Sequence, residues 1–208
     1  MLLNFNELIR DYNLKLNGIV HIGAHYGLEY DIYEQNNIQN IIFFEPVKET
    51  FEILSNRIKN ENVILCNTAL GNYNGKAIMN IEKANEGQSS SILKPKKHLD
   101  LFPGITFDWT EEVNIIKLDD YNFDRSKYNM INIDVQGYEM EVFKGGINFI
   151  KDYVDCINTE VNGSEVYENC CLVSELDNFL GDFGFKRVKT FWWGGKEDWG
   201  DAFYIKNK

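Results

Sequence analysis

The sequence predicts an α/β protein built on a single, mostly parallel sheet of seven strands. Apolar runs alternate with helix-like segments along most of the chain, which is the pattern of repeated strand–helix–strand units. The last two apolar runs differ, because only residues 192–201 separate them. A connection this short cannot hold a crossover helix. We therefore expect the C-terminal strand to be reversed and to form an antiparallel hairpin with the strand before it.

The elements follow from the apolar pattern in order along the chain. Strands are predicted at residues 18–22, 40–45, 63–68, 130–134, 154–160, 185–191 and 202–205. Helices are predicted between them, where apolar residues recur at helical spacing, at 28–34, 50–58, 138–144 and 174–180. Gly145 and Gly146 follow the third of these helices and suit its C-terminal cap. Residues 75–118 are less regular. We expect two edge strands and a long, functional loop there.

Length and charge limit the class of protein. The 208 residues fit one domain, 1–208, with 1–17 as an N-terminal helix or extension and 75–118 as the edge strands and active-site loop. A net charge of −11 argues against binding to nucleic-acid phosphates or to anionic membranes. The start of the chain has no signal-peptide pattern, no run is long enough to span a membrane, and the four cysteines form no Cys-x-x-Cys pair. We therefore expect a cytoplasmic protein. Its oligomeric state is not predicted.

A glycine turn and a carboxylate indicate a nucleotide-type cofactor. The strand 18–22 runs into a turn that begins at Gly23 and ends at Gly27, and the strand 40–45 ends on Glu45. Glycines allow the backbone to approach a ligand closely, and a carboxylate about twenty residues further on can accept both hydroxyls of a ribose. The turn reads Gly-x-x-x-Gly, which is looser than the Gly-x-Gly-x-x-Gly that cradles a pyrophosphate. This favours S-adenosylmethionine, which carries no phosphate, modestly over a dinucleotide such as NAD.

The chain resembles a known family in an ordered set of segments. These are His21-Ile22-Gly23-Ala24-His25-Tyr26-Gly27, Phe43-Phe44-Glu45-Pro46, and residues 67–71, 87–91, 117–120, 131–139 and 159–162. Together they resemble the FkbM family of S-adenosylmethionine-dependent methyltransferases, over about residues 18–205. The resemblance implies the Rossmann-like class I methyltransferase fold, in which one reversed strand is expected. It also implies methyl transfer to hydroxyl groups, often on sugars or polyketides.

Two residues depart from the family pattern. The family turn commonly carries Asn where this chain has His25, and the family commonly carries Glu after the fourth strand, where this chain has Gln136. His25 keeps a side chain that can form hydrogen bonds, and it either contacts the cofactor or caps a nearby backbone group. Gln136 lacks the carboxylate, so no catalytic role is assigned to it.

The resemblance implies a cofactor site beyond the carboxyl ends of the strands, as in other open α/β sheets. The glycine turn would pack against the methionine and ribose portions, with Glu45 on the ribose hydroxyls. Thr68 and Ala69 would lie beside the adenine, and Asp134 and Val135 near the sulfonium. The full set of implied cofactor residues is Gly23, Ala24, His25, Gly27, Glu45, Pro46, Thr68, Ala69, Ser89, Asp134 and Val135.

Two carboxylates are candidates for the chemistry. Methylating an alcohol requires removal of a proton, and Asp134 and Glu160 end neighbouring strands, so both should face one cleft. Two close carboxylates raise one pKa, which suits a general base. Alternatively, Asp134 only bonds the cofactor and Glu160 only binds an acceptor hydroxyl. Such a pair could hold Mg²⁺ or Ca²⁺, but nothing in the spacing requires a metal, and none is predicted.

The acceptor side is expected to include Ser90, His98, Asn162 and Trp193. Trp193 lies in the terminal hairpin, where an aromatic face either stacks on a sugar ring or packs on the core.

The function predicted is methyl transfer from S-adenosylmethionine, with S-adenosylhomocysteine as product, to a hydroxyl of a sugar in a glycan or glycoconjugate. Two alternatives remain: an NAD-dependent oxidoreductase, and a non-catalytic partner module of the same fold.

Overall fold

The computed structural model describes residues 2–207. Its strands are β1 (Gly18–Ile22), β2 (Asn40–Phe44), β3 (Val63–Cys66), β4 (Ala69–Leu70), β5 (Gly75–Ile81), β6 (Trp109–Ile116), β7 (Met130–Ile133), β8 (Cys156–Asn162), β9 (Phe185–Trp192) and β10 (Trp199–Lys206). Its α-helices are α1 (Phe5–Tyr12), α2 (Tyr30–Gln35), α3 (Lys48–Arg57), α4 (His98–Leu101), α5 (Glu139–Gly145), α6 (Ile147–Tyr153) and α7 (Val173–Gly181).

The main sheet has seven strands in the order β3-β2-β1-β7-β8-β10-β9. The first five are parallel, whereas β10 is antiparallel to both β8 and β9. The predicted reversed C-terminal strand is therefore confirmed. The connections after β1 and β7 run in opposite directions from these two neighbouring strands. A crevice at such a point, beyond the carboxyl ends of the strands, is where open α/β sheets bind ligands.

A second, three-stranded sheet lies outside the main one. Residues 75–118 hold the two predicted strands, and these lie outside the main sheet, because β6 pairs with β5 on one side and with β4 on the other. Alternate residues Ala77, Met79 and Ile81 of β5 are buried, so this small sheet has its own apolar face. The predicted strand 63–68 is shorter in the structure, since β3 ends at Cys66, and Ala69 begins the separate strand β4. The loop 82–108, which contains α4, joins β5 to β6.

The helices cover both faces of the main sheet. Every residue of β1 is buried, and Ile19 packs in one core cluster whereas Val20 and Ile22 pack in the other. This is typical of a central parallel strand, which reads as a continuous apolar run. The chain after α5 turns at Gly146 and continues directly as α6, a helix that the sequence analysis did not predict. Among residues 2–207, no helix is both long and apolar enough to cross a bilayer.

Candidate active site

Two cavities meet beyond the carboxyl ends of β1 and β7. The larger, which we call the chamber, has a volume of about 540 Å³ and is lined by β8, β10, the loop 82–108 and the terminal hairpin. The smaller, which we call the slot, lies between the end of β2, the chain around β4 and the residues after β7. We call their shared lining the junction; it consists of Gly23, His25, Gln88, Asp134 and Gln136. The slot and the chamber are therefore adjacent at these five residues.

Gly23 allows β1 and β7 to come together at the junction. Its φ is +77°, and a Cβ there would lie 1.9 Å from the carbonyl oxygen of Asp134. The N–H groups of Gly23 and Ala24 both donate to the Phe44 carbonyl at 3.0 Å, which ties the turn to β2. Only glycine combines this backbone conformation with such a close approach. Gly27, at φ +67°, lines neither cavity, and a Cβ there would meet Leu54 of α3.

Glu45 is held in one orientation at the end of β2. Its Oε2 accepts from the His25 backbone N–H at 2.9 Å, and its Oε1 accepts from the Val47 N–H at 2.9 Å. The side chain is only 6% exposed. Burial raises the pKa of Glu45 to about 7, although the two backbone hydrogen bonds oppose this. Glu45 lines the slot, and the carboxylate has lone pairs left to accept further hydrogen bonds.

The rest of the slot is mainly apolar. Pro46, Thr68, Ala69 and Val135 line it as the sequence analysis expected, together with Ile22, Phe44, Val47, Leu70, Met79, Ile92 and Tyr138. On the loop side it is closed by Gln88 and Ser90. The slot holds only about 70 Å³, so a purine ring requires the loop side chains to shift outward.

Gln136 links the two predicted catalytic carboxylates. Its Nε2 donates to Asp134 Oδ1 and to Glu160 Oε2, both at 2.7 Å. The buried Tyr167 hydroxyl lies 2.9 Å from Gln136 Oε1, and Ser91 Oγ donates to the Gln136 carbonyl at 2.7 Å. These bonds fix the amide so that its N–H groups face the carboxylates, and they hold Gln136 at φ +54°. The sequence analysis noted this residue only as a departure and missed its role as a bridge.

The electrostatics of this pair differ from one carboxylate to the other. Asp134 is half-buried and belongs to the junction, whereas Glu160 is 3% exposed and lines only the chamber. Burial, followed by the neighbouring Asp134 carboxylate, raises the pKa of Glu160 well above its ordinary value. Glu160 therefore holds a proton more readily than an exposed glutamate does.

A third carboxylate, Glu139, lies behind this pair. Its Oε1 accepts from the backbone N–H groups of Val135 at 3.0 Å and Gly137 at 3.2 Å, and burial raises its pKa to about 7. One oxygen each from Asp134, Glu139 and Glu160 lies within 4.8 Å of the others. Oxygen ligands at such distances suit a hard cation, but the three carboxylates already accept from the Gln136 amide and from these backbone N–H groups.

Aromatic rings form the outer part of the chamber. Trp193 and Trp199 stack, with their ring centroids 5.6 Å apart and an angle of 16° between the ring planes. Trp193 is 50% exposed. His98 lines the chamber and packs against Tyr167, with the two ring centroids 5.4 Å apart. It is 3% exposed, its Nδ1 has no hydrogen-bond partner among residues 2–207, and burial lowers its pKa. A neutral imidazole with a free nitrogen can bond an incoming ligand.

One known protein family matches most of the chain. The family model described as the methyltransferase FkbM domain matches residues 21–187. The chain belongs to the FkbM methyltransferase family. The cofactor of this family is S-adenosylmethionine. A search of curated proteins gives no match.

Two solved structures share the fold of this FkbM protein. An FkbM methyltransferase from Methylobacillus flagellatus KT is 14% identical, with a TM-score of 0.61, over 90% of this chain and 43% of that one. This chain thus spans less than half of that protein. The magnesium protoporphyrin IX methyltransferase from Synechocystis PCC 6803, solved with bound S-adenosylmethionine, is 9% identical with a TM-score of 0.55, over 97% of this chain and 76% of that one. At these identities the likeness establishes the class I methyltransferase fold.

The slot of this FkbM domain is lined by groups with the chemistry that S-adenosylmethionine requires. Glu45 offers a carboxylate fixed by two backbone N–H groups, and Gly23 lets the backbone after β1 approach the Asp134 carbonyl closely at the junction. Apolar side chains flank the place for a purine. These features could hold, in order, the ribose hydroxyls, the methionine end and the adenine.

The structure places some predicted residues differently from the expectation. Ser89, expected on the cofactor, lines the chamber, and Ser90, expected on the acceptor, lines the slot. Ala24 faces the chamber alone. Asn162 lines neither cavity and is 1% exposed within β8. His25 lines the junction, and its Nε2 donates to the Glu86 backbone carbonyl at 2.8 Å. Its contact with the cofactor stays a prediction.

Proposed function

We propose that this FkbM methyltransferase transfers a methyl group from S-adenosylmethionine to a hydroxyl of a sugar in a glycan or glycoconjugate. The observation that carries the proposal is the junction. A slot suited to a nucleoside opens into a separate chamber beside one carboxylate, Asp134, which lines both. That is the arrangement which an acceptor hydroxyl and a methyl donor need in order to meet in line.

Cofactor binding is assigned to the slot and the junction. Glu45 would accept from the two ribose hydroxyls, Thr68 and Ala69 would flank the adenine with Ser90, and Gly23 and His25 would pack against the ribose and methionine. Asp134 and Val135 would lie near the sulfonium. The sulfonium supplies the electrophilic methyl group when the cofactor is bound.

Asp134 would be the general base. It would accept the proton of the acceptor hydroxyl as the oxygen bonds to the methyl carbon and the carbon–sulfur bond breaks, so that the products are the methyl ether, S-adenosylhomocysteine and a proton. Glu160 would orient the acceptor, because it lines the chamber but not the slot. Gln136 would hold the two carboxylates in a fixed relative position, because its amide nitrogen donates to both.

The chamber supports a sugar as the acceptor. Half-exposed Trp193, stacked on Trp199, presents a flat aromatic face of the kind that packs on the apolar side of a sugar ring. Polar groups of Gln88, Ser89 and His98 line the same space and can bond hydroxyls. A porphyrin or a nucleic acid would instead require a wider apolar face or a cationic surface.

The first test is a calorimetric titration of the protein with S-adenosylhomocysteine, with NAD as the control. We expect micromolar binding of S-adenosylhomocysteine alone. Formation of S-adenosylhomocysteine from S-adenosylmethionine is then measured with a panel of sugars, and product analysis locates the methyl group on oxygen. Binding of NAD alone would favour the oxidoreductase, and binding of neither would favour a non-catalytic partner module.

Cofactor affinity is expected to fall in acid because of Glu45. The ribose hydroxyls require the ionised carboxylate, and the pKa of Glu45 in the free protein is about 7. Protonation therefore competes with binding, and at pH 6 the affinity for S-adenosylhomocysteine should be about tenfold lower than at pH 8, since only about one tenth of the sites are ionised. Calorimetry between pH 6 and pH 8 measures this. Glu45→Gln should bind weakly at every pH; an unchanged slope in that variant would assign the dependence to another group.

Trp193→Ala is expected to weaken acceptor binding without affecting the cofactor. Loss of one stacking face should raise KM for the sugar by roughly tenfold, since aromatic contacts contribute about 0.5–1.5 kcal/mol beyond their buried area. kcat should change little. The matched control is Trp109→Ala, which removes another exposed tryptophan that lines neither cavity. Equal KM values in the two variants would remove Trp193 from the acceptor site.

A further inference from the structure

The hydroxyl of Tyr167 connects the loop 82–108 to the residues around the proposed catalytic carboxylates. Its oxygen lies 2.9 Å from the carbonyl oxygen of Ser89, on the loop, and 2.9 Å from Oε1 of Gln136. A phenol has one O–H group to donate, and both of these oxygens are acceptors. Because Tyr167 is fully buried, its single proton is shared between the loop and Gln136.

The hydrogen bond from Tyr167 decides how the Gln136 amide is oriented. The amide nitrogen donates to Asp134 Oδ1 and Glu160 Oε2, and among residues 2–207 Tyr167 is the one donor to the amide oxygen. In the reversed orientation the amide oxygen would face the two carboxylates and would repel them while they are ionised. A proton on Glu160 would permit that reversal, and burial favours the protonated form of this residue. Without the bond from Tyr167, the amide can therefore turn away from the orientation that holds both carboxylates.

The other acceptor, the Ser89 carbonyl, lies in the part of the loop that closes the slot. Its neighbours Gln88 and Ser90 line the slot, which at about 70 Å³ is too small for a purine until they shift outward. Ser91 is a fixed point after them, because it is fully buried, its Oγ donates to the Gln136 carbonyl at 2.7 Å, and its backbone is hydrogen-bonded to β5 in both directions. A movement that admits a purine is therefore confined to the chain before Ser91, which includes the Ser89 carbonyl.

The contacts of this segment with the glycine turn permit such a movement. The Glu86 carbonyl accepts from His25 Nε2 at 2.8 Å and from the Tyr26 hydroxyl at 3.4 Å, and both contacts are exposed to solvent. Water can replace these partners when the loop shifts. The Tyr167 hydroxyl is buried, so when Ser89 moves away it keeps the acceptor that remains, which is Gln136.

We propose that Tyr167 is a positioning residue that fixes the orientation of the carboxylates only when the cofactor is bound. In the free protein its proton is shared between the Ser89 carbonyl and Gln136. A cofactor in the slot displaces the loop, and the hydroxyl then donates to Gln136 alone, which holds the amide on Asp134 and Glu160. This inference rests on the proposed function, and it makes cofactor binding a precondition for productive binding of the acceptor.

A structural test needs no acceptor. In a crystal structure of the complex with S-adenosylhomocysteine, we expect the Tyr167 hydroxyl to remain within about 3.0 Å of Gln136 Oε1 and the Ser89 carbonyl to lie more than about 3.5 Å from it. Calorimetry should show that Tyr167→Phe binds S-adenosylhomocysteine at least as tightly as the native protein, because the variant has no contact with Ser89 to lose. A tyrosine with a purely structural role would instead weaken cofactor binding when its hydroxyl is removed.

Kinetics with the best acceptor of the sugar panel test whether Tyr167 acts through Gln136. Tyr167→Phe should lower kcat by roughly tenfold, since the amide is no longer held in one orientation, and should leave KM for S-adenosylmethionine little changed. Gln136→Met keeps the length of the side chain and removes the amide. It should lower kcat at least as much, and the double variant should lose no more than Gln136→Met alone. Tyr128→Phe is the matched control: it removes the hydroxyl of another buried tyrosine, which lines neither cavity, and should leave kcat and cofactor affinity unchanged.

The outcomes separate this inference from the proposed function. Failure to bind S-adenosylhomocysteine overturns the proposed function itself. If the protein binds S-adenosylhomocysteine but the Ser89 carbonyl stays within hydrogen-bond distance of the Tyr167 hydroxyl in the complex, the inference about Tyr167 is wrong. Losses of kcat in Tyr167→Phe and Gln136→Met that multiply in the double variant would overturn it as well.

Discussion

Asp134→Asn is expected to lower kcat by roughly 10²–10⁴-fold, the usual contribution of a general base. The variant keeps the shape of the side chain, and its Oδ1 can still accept from Gln136 Nε2, which lies 2.7 Å away in the native protein. Affinity for S-adenosylhomocysteine should therefore stay within a few-fold of the native value. The measurements are S-adenosylhomocysteine formation with the best acceptor of the sugar panel and calorimetry of the variant.

Glu160→Gln is the comparison that distinguishes the two carboxylates. Because Glu160 lines the chamber and not the slot, its replacement should act mainly through acceptor KM, with a smaller loss of kcat. The opposite pattern, a large loss of kcat in Glu160→Gln and a small one in Asp134→Asn, would make Glu160 the base.

Gly23→Ala is expected to have the largest effect on stability. A Cβ at Gly23 would lie 1.9 Å from the Asp134 carbonyl oxygen, so β1 and β7 would have to separate where the two cavities meet. The left-handed backbone conformation costs about 1–2 kcal/mol in a residue with a side chain, and overpacking costs about 1–3 kcal/mol more. We expect a fall in Tm of roughly 5–15 °C and loss of S-adenosylhomocysteine binding.

Gly195→Ala is the matched control for this prediction. Gly195 has a similar φ of +71°, but a Cβ there would meet no atom within 4 Å. Its substitution should cost only the strain of the left-handed backbone conformation, and Tm should fall by about 2–6 °C. Thermal unfolding followed by circular dichroism compares the two. Equal shifts would mean that the contact with Asp134 is not what restricts position 23.

The main sheet could be predicted from the sequence because its signals are local. The central strands are covered on both faces, so β1 and β7 appear as unbroken apolar runs. The hairpin of β9 and β10 follows from the shortness of the link alone. The ends of these strands are local too, which is why Gly23, Glu45 and Asp134 could be placed at one edge without knowing any contact.

The remaining parts of the fold depend on partners distant in the chain. Whether β5 and β6 join the main sheet or form their own depends on β4, a strand of two residues that pairs with Ile115 and Ile116. No local pattern specifies such a pairing. Ser89 and Ser90 likewise line the opposite cavities from those predicted. The direction of a loop residue is set by the groups that the loop packs against, which here are Tyr167 and Glu82.

By itself, the sequence determined the FkbM family, the reversed strand and the carboxylates that follow β2 and β7, since each is encoded by residue types within a few positions. Only the tertiary structure decided how these groups act together. Gln136 became a bridge because β8 brings Glu160 beside it, and Asp201 joined the chamber because β10 lies in register with β8. The charge of the site comes from residues on strands that are distant in the sequence. Burial, which shifts the pKa values of these residues, exists only once the sheet has formed.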